Sequence, residues 1–184
     1  DERPLTVTGA LQTMTATACR TIAIFSTKGG VGKTTVAVTL ATIIQMELHQ
    51  ATALLTIGSA ADDAGVLLGA TSLHRVTDPV TAVSLPSIFE ALRRTYAYVF
   101  IDAGSLFSDV AVAAFEQSNL LLLVTTPEVT ALRHTIQTIT RLESLKLPSR
   151  MLKGVVNRAG SQWNLSMAEI RSRLPIEVIA EIPS

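Results

Sequence analysis

The stretch that decides the fold is FSTKGGVGKTTVA, which runs from Phe25 to Ala37. It nearly satisfies the phosphate-loop pattern G-x-x-x-x-G-K-[ST], because its final G-K-T is in place at positions 32–34. Thr27 stands where the pattern has its first glycine, and Lys28 adds a second lysine. An apolar run precedes the loop and apolar residues at helical spacing follow it. This context predicts a phosphate-binding loop between a buried strand and a helix.

Short apolar runs alternate with helical patterns along the rest of the chain. After TIAIFS, strands are predicted at ATALLTI (51–57), AYVFID (97–102), NLLLLVTT (119–126), RMLKGVVN (150–157) and PIEVIAEIP (175–183). This alternation predicts an α/β fold, a mostly parallel β-sheet flanked by helices on both faces. Only 16% of the residues are charged, against about 25% in an average globular protein, which indicates a well-filled core. Such a sheet binds its ligand beyond the carboxyl ends of the strands.

Capping residues predict where three of the helices begin. The predicted starts are Ser87 with Glu90, Thr126 before Pro127 in the first turn, and Ser166 with Glu169. The first and third pairs have capping-box spacing, which ties the side chain of each member to the backbone of the other.

Charge and composition bear on partners and location. The net charge is zero, with 15 basic and 15 acidic residues, so we predict no nucleic-acid binding, and no membrane segment is visible. The single cysteine, Cys19, allows no disulfide within the chain. We expect a cytoplasmic protein, with recruitment to the membrane or a cell pole left open.

Residues 1–20 are interpreted as an N-terminal arm or linker, or equally as an added edge strand, and residues 21–184 as a nucleotide-binding domain.

The loop residues have complementary chemical tasks. Glycines let successive backbone N–H groups turn inward around phosphate oxygens, and the following helix adds the positive end of its dipole. Lys33 should reach the β- and γ-phosphates, the Thr34 hydroxyl should bind Mg²⁺, and Thr35 should contact the α-phosphate. The candidate binding residues of the loop are Gly29, Gly30, Val31, Gly32, Lys33, Thr34 and Thr35.

The string K-G-G-x-G-K-T-T resembles the deviant Walker A motif of the ParA/MinD ATPases, which are P-loop NTPases of the SIMIBI type. The resemblance implies that the cofactors are ATP and Mg²⁺ and that ATP binding is coupled to formation of a homodimer. It also implies that Lys28 crosses the dimer interface to the nucleotide of the other subunit, as an arginine finger does. The alternative is a lysine simply solvated at the edge of the loop.

Later segments extend the resemblance. YVFIDAGSLFSDV is similar to the second aspartate motif, which implies that Asp102 lies near Mg²⁺ or its water, although Gly104 stands where family members often have proline. KGVVNRAG matches the strand whose asparagine contacts the adenine edge, which implies that role for Asn157, with Arg158 beside it. The implied catalytic residues are Lys28, Lys33 and Asp102, and the implied metal-binding residues are Thr34 and Asp102.

Within the family, the segments LLLVTTPEVTALR and LLTIGSAADDAGVLLGA look most like the CpaE/TadZ branch, which is linked to Flp-type pilus assembly. This likeness implies a switch that positions or assembles a pilus, secretion or other polar complex, with protein partners in a membrane-associated assembly.

Two departures from the family pattern open alternatives. The second strand normally ends in D-x-D, but here TIGS places Gly58 where the second aspartate helps position the attacking water. Hydrolysis should therefore be weak, and a catalytically inactive ATP-binding scaffold is an alternative, as is a chromosome or plasmid partition ATPase. Asp63 in the following loop is interpreted as an exposed carboxylate. The chain is also shorter than the family around residues 70–86 and at its C-terminus.

Overall fold

The structure, a computed structural model, describes residues 19–57, 80–159 and 165–184. Six strands are present in these ranges: β1 (Arg20–Phe25), β2 (Thr52–Thr56), β3 (Tyr98–Asp102), β4 (Leu120–Thr125), β5 (Leu152–Ala159) and β6 (Val178–Pro183). The α-helices are α1 (Lys33–Glu47), α2 (Leu85–Thr95), α3 (Asp109–Glu116), α4 (Val129–Ser144) and α5 (Met167–Arg173), and a 3₁₀ turn covers Ser149–Met151. None of the described helices has both the length and the apolarity needed to cross a bilayer.

The six strands form one sheet in the order β2-β3-β1-β4-β5-β6. Every neighbouring pair in it is parallel, which confirms the predicted fold class. β1 lies in the interior of the sheet, between β3 and β4. Because all strands run the same way, the residues that follow β1, β3, β4 and β5 gather at one edge of the sheet.

Helices cover both faces of the sheet, and successive residues of β1 divide between them. Ile24 packs with Val36 and Ala41 of α1 in one apolar cluster. Ala23 and Phe25 face the opposite way, into a larger cluster that α2, α3, α4 and α5 share. Burial on both faces explains why these strands read as continuous apolar runs rather than alternating ones.

The prediction for the start of α2 was wrong. The helix begins at Leu85 after Ser84, so Ser87 lies inside the first turn and does not cap it. Pro86 can occupy the first turn because the N–H that proline lacks has no helical partner there. Leu85 is fully buried, and its burial stabilises the additional residues at this end of the helix.

The prediction for the start of α4 was also wrong. The helix begins at Val129, and Glu128 rather than Thr126 is its N-cap residue, without a side-chain cap. Pro127 precedes the helix, and its carbonyl accepts a hydrogen bond of 2.8 Å from the Leu165 N–H, a tertiary contact that holds it outside the first turn. The capping box of α5, by contrast, is confirmed, with Ser166 and Glu169 each bonded to the backbone of the other.

Candidate phosphate-binding site

The candidate loop leaves the carboxyl end of β1 and enters α1 at Lys33. Gly30 and Gly32 have positive φ values of 73° and 93°, a conformation that favours glycine. Gly32 is also the N-cap of α1, and no side chain caps the helix there. The first N–H groups of α1 therefore carry no side-chain cap, as an anion-binding helix N-terminus requires.

Lys33 lies within this loop rather than in solvent. Its residue exposure is only 8%, and its Nζ lies 3.4 Å from the backbone carbonyl oxygen of Lys28. Burial lowers the pKa of Lys33 below the usual lysine value, and the nearby Asp102 carboxylate opposes that shift. A cation held this way is well placed to exchange a weak backbone contact for a phosphate oxygen.

The two predicted metal-binding residues, Thr34 in α1 and Asp102 at the end of β3, are in contact. The Thr34 hydroxyl donates a hydrogen bond of 2.5 Å to Oδ2 of Asp102, and Asp102 is fully buried at the end of β3. The N–H of Gly104 lies 3.4 Å from Oδ1 of the same carboxylate. A hydroxyl and a carboxylate are oxygen ligands of the kind that Mg²⁺ takes, so this pair fits the ion.

Lys28 contacts a carboxylate of its own chain. Its ammonium forms an ion pair with Glu128, at the N-cap of α4, and the two side chains are 29% and 46% exposed. This bond holds the pKa of Glu128 below its usual value. One residue earlier, the Thr27 hydroxyl lies 2.9 Å from the hydroxyl of Thr138 on α4. Sequence reasoning missed Glu128 and Thr138, although Glu128 could have been suspected as a carboxylate three residues after β4.

Asn157 of β5 lies against the loop. Its side-chain Nδ2 donates a hydrogen bond of 2.9 Å to the backbone carbonyl of Val31, and Arg158 next to it is exposed. The adenine contact proposed for Asn157 stays a prediction. Val31 has its side chain buried in the core beside α1, so only its backbone is available to a ligand, and Thr35 is exposed on α1.

The structure therefore brings most of the predicted site residues to one edge of the sheet, around the end of β1. Lys33, Thr34 and Asp102 are in direct or near contact there. Two other residues singled out from the sequence, Gly58 and Asp63, lie outside the described ranges.

Solved structures share this fold at low sequence identity. The MinC:MinD cell division protein complex of Aquifex aeolicus matches with a TM-score of 0.78 and 22% identity, over 90% of this chain and 81% of that one. The septum site-determining protein MinD complexed with Mg-ADP, from Pyrococcus horikoshii OT3, matches with a TM-score of 0.74 and 20% identity. This match covers 90% of this chain and 81% of that one. A ParA family ATPase from Chlorobium tepidum TLS matches with a TM-score of 0.74 and 20% identity, over 91% of this chain and 85% of that one. At these identities the likeness shows the fold alone.

Among curated protein sequences, none matches this chain. The family model described as the CobQ/CobB/MinD/ParA nucleotide binding domain matches residues 22–184. That span includes the whole loop, Asp102 and Asn157. The chain therefore belongs to the CobQ/CobB/MinD/ParA nucleotide-binding family.

Proposed function

We propose that this chain binds Mg-ATP and acts as an ATP-dependent dimerising switch with weak ATPase activity. The observation that carries the proposal is the contact between the Thr34 hydroxyl and the buried Asp102 carboxylate, beside a buried Lys33 and an uncapped helix N-terminus. At the carboxyl end of the sheet, these groups together supply oxygen ligands for a divalent cation, one positive charge and backbone donors. A polyphosphate bound to Mg²⁺ has the complementary set of charges.

Each residue has a distinct task in this proposal. The backbone N–H groups of residues 29–34 would hold the phosphate oxygens, and Lys33 would turn its ammonium from the Lys28 carbonyl to the β- and γ-phosphates. Thr34 and Asp102 would hold Mg²⁺, which neutralises phosphate charge when it is bound. Asn157 and Arg158 would lie on the side of the nucleotide base. The reaction is transfer of the γ-phosphoryl group of ATP to water, which gives ADP and phosphate.

Dimerisation follows from the second lysine. The Lys28 ammonium projects to Glu128 at the edge of the site, whereas Lys33 lies within the loop. In a homodimer the same side chain would cross to the nucleotide of the neighbouring subunit and neutralise charge that develops on its γ-phosphate. The fold neighbour from Aquifex aeolicus is a complex of MinD with MinC, which supports the idea that this fold also offers a surface to a protein partner.

The cellular role that we propose is positioning or assembly of a pilus, secretion or other polar complex, from the CpaE/TadZ-like segments of the sequence. The protein would act in the cytoplasm, where partners of a membrane-associated assembly would recruit it to the membrane or cell pole. The neutral net charge favours protein partners over nucleic acid, and so favours this role over a partition ATPase.

A catalytically inactive scaffold is the second candidate, and Gly58 favours it. Glycine has no side chain that could position the attacking water, and phosphoryl transfer depends mostly on positioning and charge stabilisation. The scaffold would still bind Mg-ATP and dimerise. Gly58→Asp separates the two candidates, because restored turnover in that variant would identify the native chain as the scaffold.

The test is phosphate release from Mg-ATP at several protein concentrations, with Lys33→Ala as the blank and ATP binding measured separately. We expect turnover per molecule to rise with concentration and to vanish in Lys33→Ala. Lys28→Ala should bind ATP but lose the concentration dependence, whereas Lys153→Ala serves as the matched control. Lys153 pairs with Glu177 at the opposite edge of the sheet, at the start of β5. ATP binding without turnover above the blank would leave the scaffold, and no ATP binding would refute both candidates.

A further inference from the structure

The carboxamide of Asn157 is fixed on both sides by backbone groups. Its Oδ1 accepts a hydrogen bond of 3.0 Å from the Arg158 N–H, and its Nδ2 donates one of 2.9 Å to the carbonyl of Val31. Because one partner is a donor and the other an acceptor, only one orientation of the amide satisfies both. The side chain thus joins the end of β5 to a loop that lies 126 positions away in sequence.

The end of β5 has an irregular backbone at this point. Arg158 has a φ of 57°, in the left-handed region that non-glycine residues seldom adopt, and the register between β5 and β6 shifts between Asn157 and Ala159. Bulges of this kind turn a side chain in a new direction, and left-handed residues persist where the surroundings impose them. The irregularity therefore aims Asn157 at the loop.

The loop is built to receive this amide. A Cβ added to Gly32 would lie 2.3 Å from Nδ2 of Asn157, so only glycine permits the contact. The Val31–Gly32 peptide is trans, so the N–H of Gly32 points opposite to the carbonyl that Asn157 holds. A peptide followed by glycine can flip at little steric cost, because glycine adopts positive and negative φ almost equally. The hydrogen bond from Asn157 selects one of these orientations.

We propose that Asn157 is a positioning residue for the phosphate loop, in addition to any contact with a base. Its amide holds the Val31 carbonyl on the β5 side and so keeps the Gly32 N–H directed away from β5, ready for a phosphate oxygen. This inference rests on the proposed binding of Mg-ATP. A residue that acts through the loop influences every ligand with the same phosphates, whereas a contact with adenine influences adenine nucleotides only.

The test compares a ligand that has a base with one that has none. Binding of Mg-ATP is measured by calorimetry, and binding of inorganic tripolyphosphate with Mg²⁺ by displacement of a fluorescent ATP analogue. A hydrogen bond of ordinary net strength corresponds to a change in affinity of about 3- to 10-fold. We expect Asn157→Ala to weaken tripolyphosphate binding by about that factor, and ATP binding by at least as much. Ser184→Ala is the matched control, because its hydroxyl lies 3.5 Å from the Ala159 carbonyl at the same edge of the sheet.

The outcomes separate the positioning role from the proposed function itself. Tripolyphosphate binding that is unchanged or tighter in Asn157→Ala, with ATP binding weakened, would overturn the positioning role and leave a base contact alone. A wild-type chain that binds neither ligand would refute the proposed nucleotide binding and, with it, this inference. Thermal unfolding of the ligand-free variants verifies folding. Asn157→Leu, which keeps similar bulk but has no donor, should reproduce the loss and replaces Asn157→Ala if that variant does not fold.

Discussion

The ion pair between Lys28 and Glu128 yields a quantitative prediction about dimer formation. In the proposed homodimer, a Lys28 ammonium that reaches the nucleotide of the neighbouring subunit would leave Glu128 of its own chain. A homodimer that uses Lys28 in this way must therefore break two such pairs, one in each protomer. Glu128→Gln removes the charge of the carboxylate before association and should tighten the proposed ATP-dependent dimer.

The size of the effect follows from the exposure of the pair. With side chains 29% and 46% exposed, the pair belongs among solvent-screened ion pairs that contribute about 0.2–1 kcal/mol. Two pairs correspond to about 0.4–2 kcal/mol per dimer, or a dissociation constant lowered by about 2- to 30-fold. Because the Debye length falls from about 8 Å at physiological salt to about 3 Å at 1 M, high salt should shrink the difference between wild type and variant.

The assay is sedimentation velocity over a concentration series, with Mg²⁺ and a non-hydrolysable ATP analogue. Glu90→Gln is the matched control, since it removes a carboxylate that pairs with Arg94 within α2 and should leave the dimer unchanged. A Glu128→Gln dimer that is equal to or weaker than wild type would refute the reasoning. If Glu90→Gln tightened the dimer equally, the effect would come from the change in net charge and not from the Lys28–Glu128 pair.

Three further variants test the packing of the site and of the core. Thr34→Val removes the hydroxyl that donates to the buried Asp102, and should lower the free energy of unfolding in urea by about 1–3 kcal/mol. Thr34→Ser keeps the hydroxyl and should retain most of the wild-type stability. Lys33→Met should stabilise the ligand-free chain, because burial disfavours the charged lysine. That advantage should shrink in thermal scans as pH rises towards 10.5, since the unfolded lysine then binds more protons than the folded one. Phe25→Ala removes a fully buried ring and should lower the free energy of unfolding by about 3–5 kcal/mol, whereas Leu106→Ala at a 77% exposed position should change it by less than about 0.5 kcal/mol. Three results would contradict the packing described above. They are a free energy of unfolding that is unchanged in Thr34→Val, a stability gain in Lys33→Met that grows with pH, and equal losses of stability in Phe25→Ala and Leu106→Ala.

The strands and the phosphate loop could be predicted because local sequence determines them. An apolar run bounded by turn residues is sufficient to place a strand buried on both faces, and glycine spacing identifies the loop. The starts of α2 and α4 were predicted wrongly because local capping rules compete with tertiary contacts. Leu85 is buried in the core, and the carbonyl of Pro127 bonds to Leu165, so neither helix begins where its own sequence favours.

Contacts across long sequence separations were the part that the sequence could not give. The resemblance implied an adenine contact for Asn157, which stays a prediction, but it did not indicate the hydrogen bond between the Asn157 amide and the Val31 carbonyl. Nothing local in KGVVNRAG indicates this contact, because it depends on β5 lying two strands away from β1 in the sheet. Glu128 was missed for the same reason, since its partner Lys28 lies 100 positions earlier in the chain.

The replacement of the first glycine by threonine has a physical explanation in this fold. Within the described ranges, the non-glycine residues with positive φ are His49, Lys146 and Arg158, so Thr27 occupies a conformation that needs no glycine. The hydroxyl of Thr138 already donates to the His134 carbonyl, at 2.8 Å, so in the contact with Thr27 the Thr27 hydroxyl is the donor. A glycine at position 27 would lose that bond to α4.

The side chains of Thr27 and Lys28 and the carbonyl of Val31 thus connect the loop to other elements. Thr27 bonds to α4, Lys28 pairs with the N-cap residue of α4, and the Val31 carbonyl bonds to Asn157 in β5. Two of the three attachments belong to the same helix, so a displacement of α4 would pull on the start of the loop while β5 holds its end. If Lys28 leaves Glu128 to act on a second subunit, as proposed, the loop loses one of its two contacts with α4 and keeps its contact with β5. The phosphate-binding end of the loop would then keep its shape while the Lys28 side chain moves.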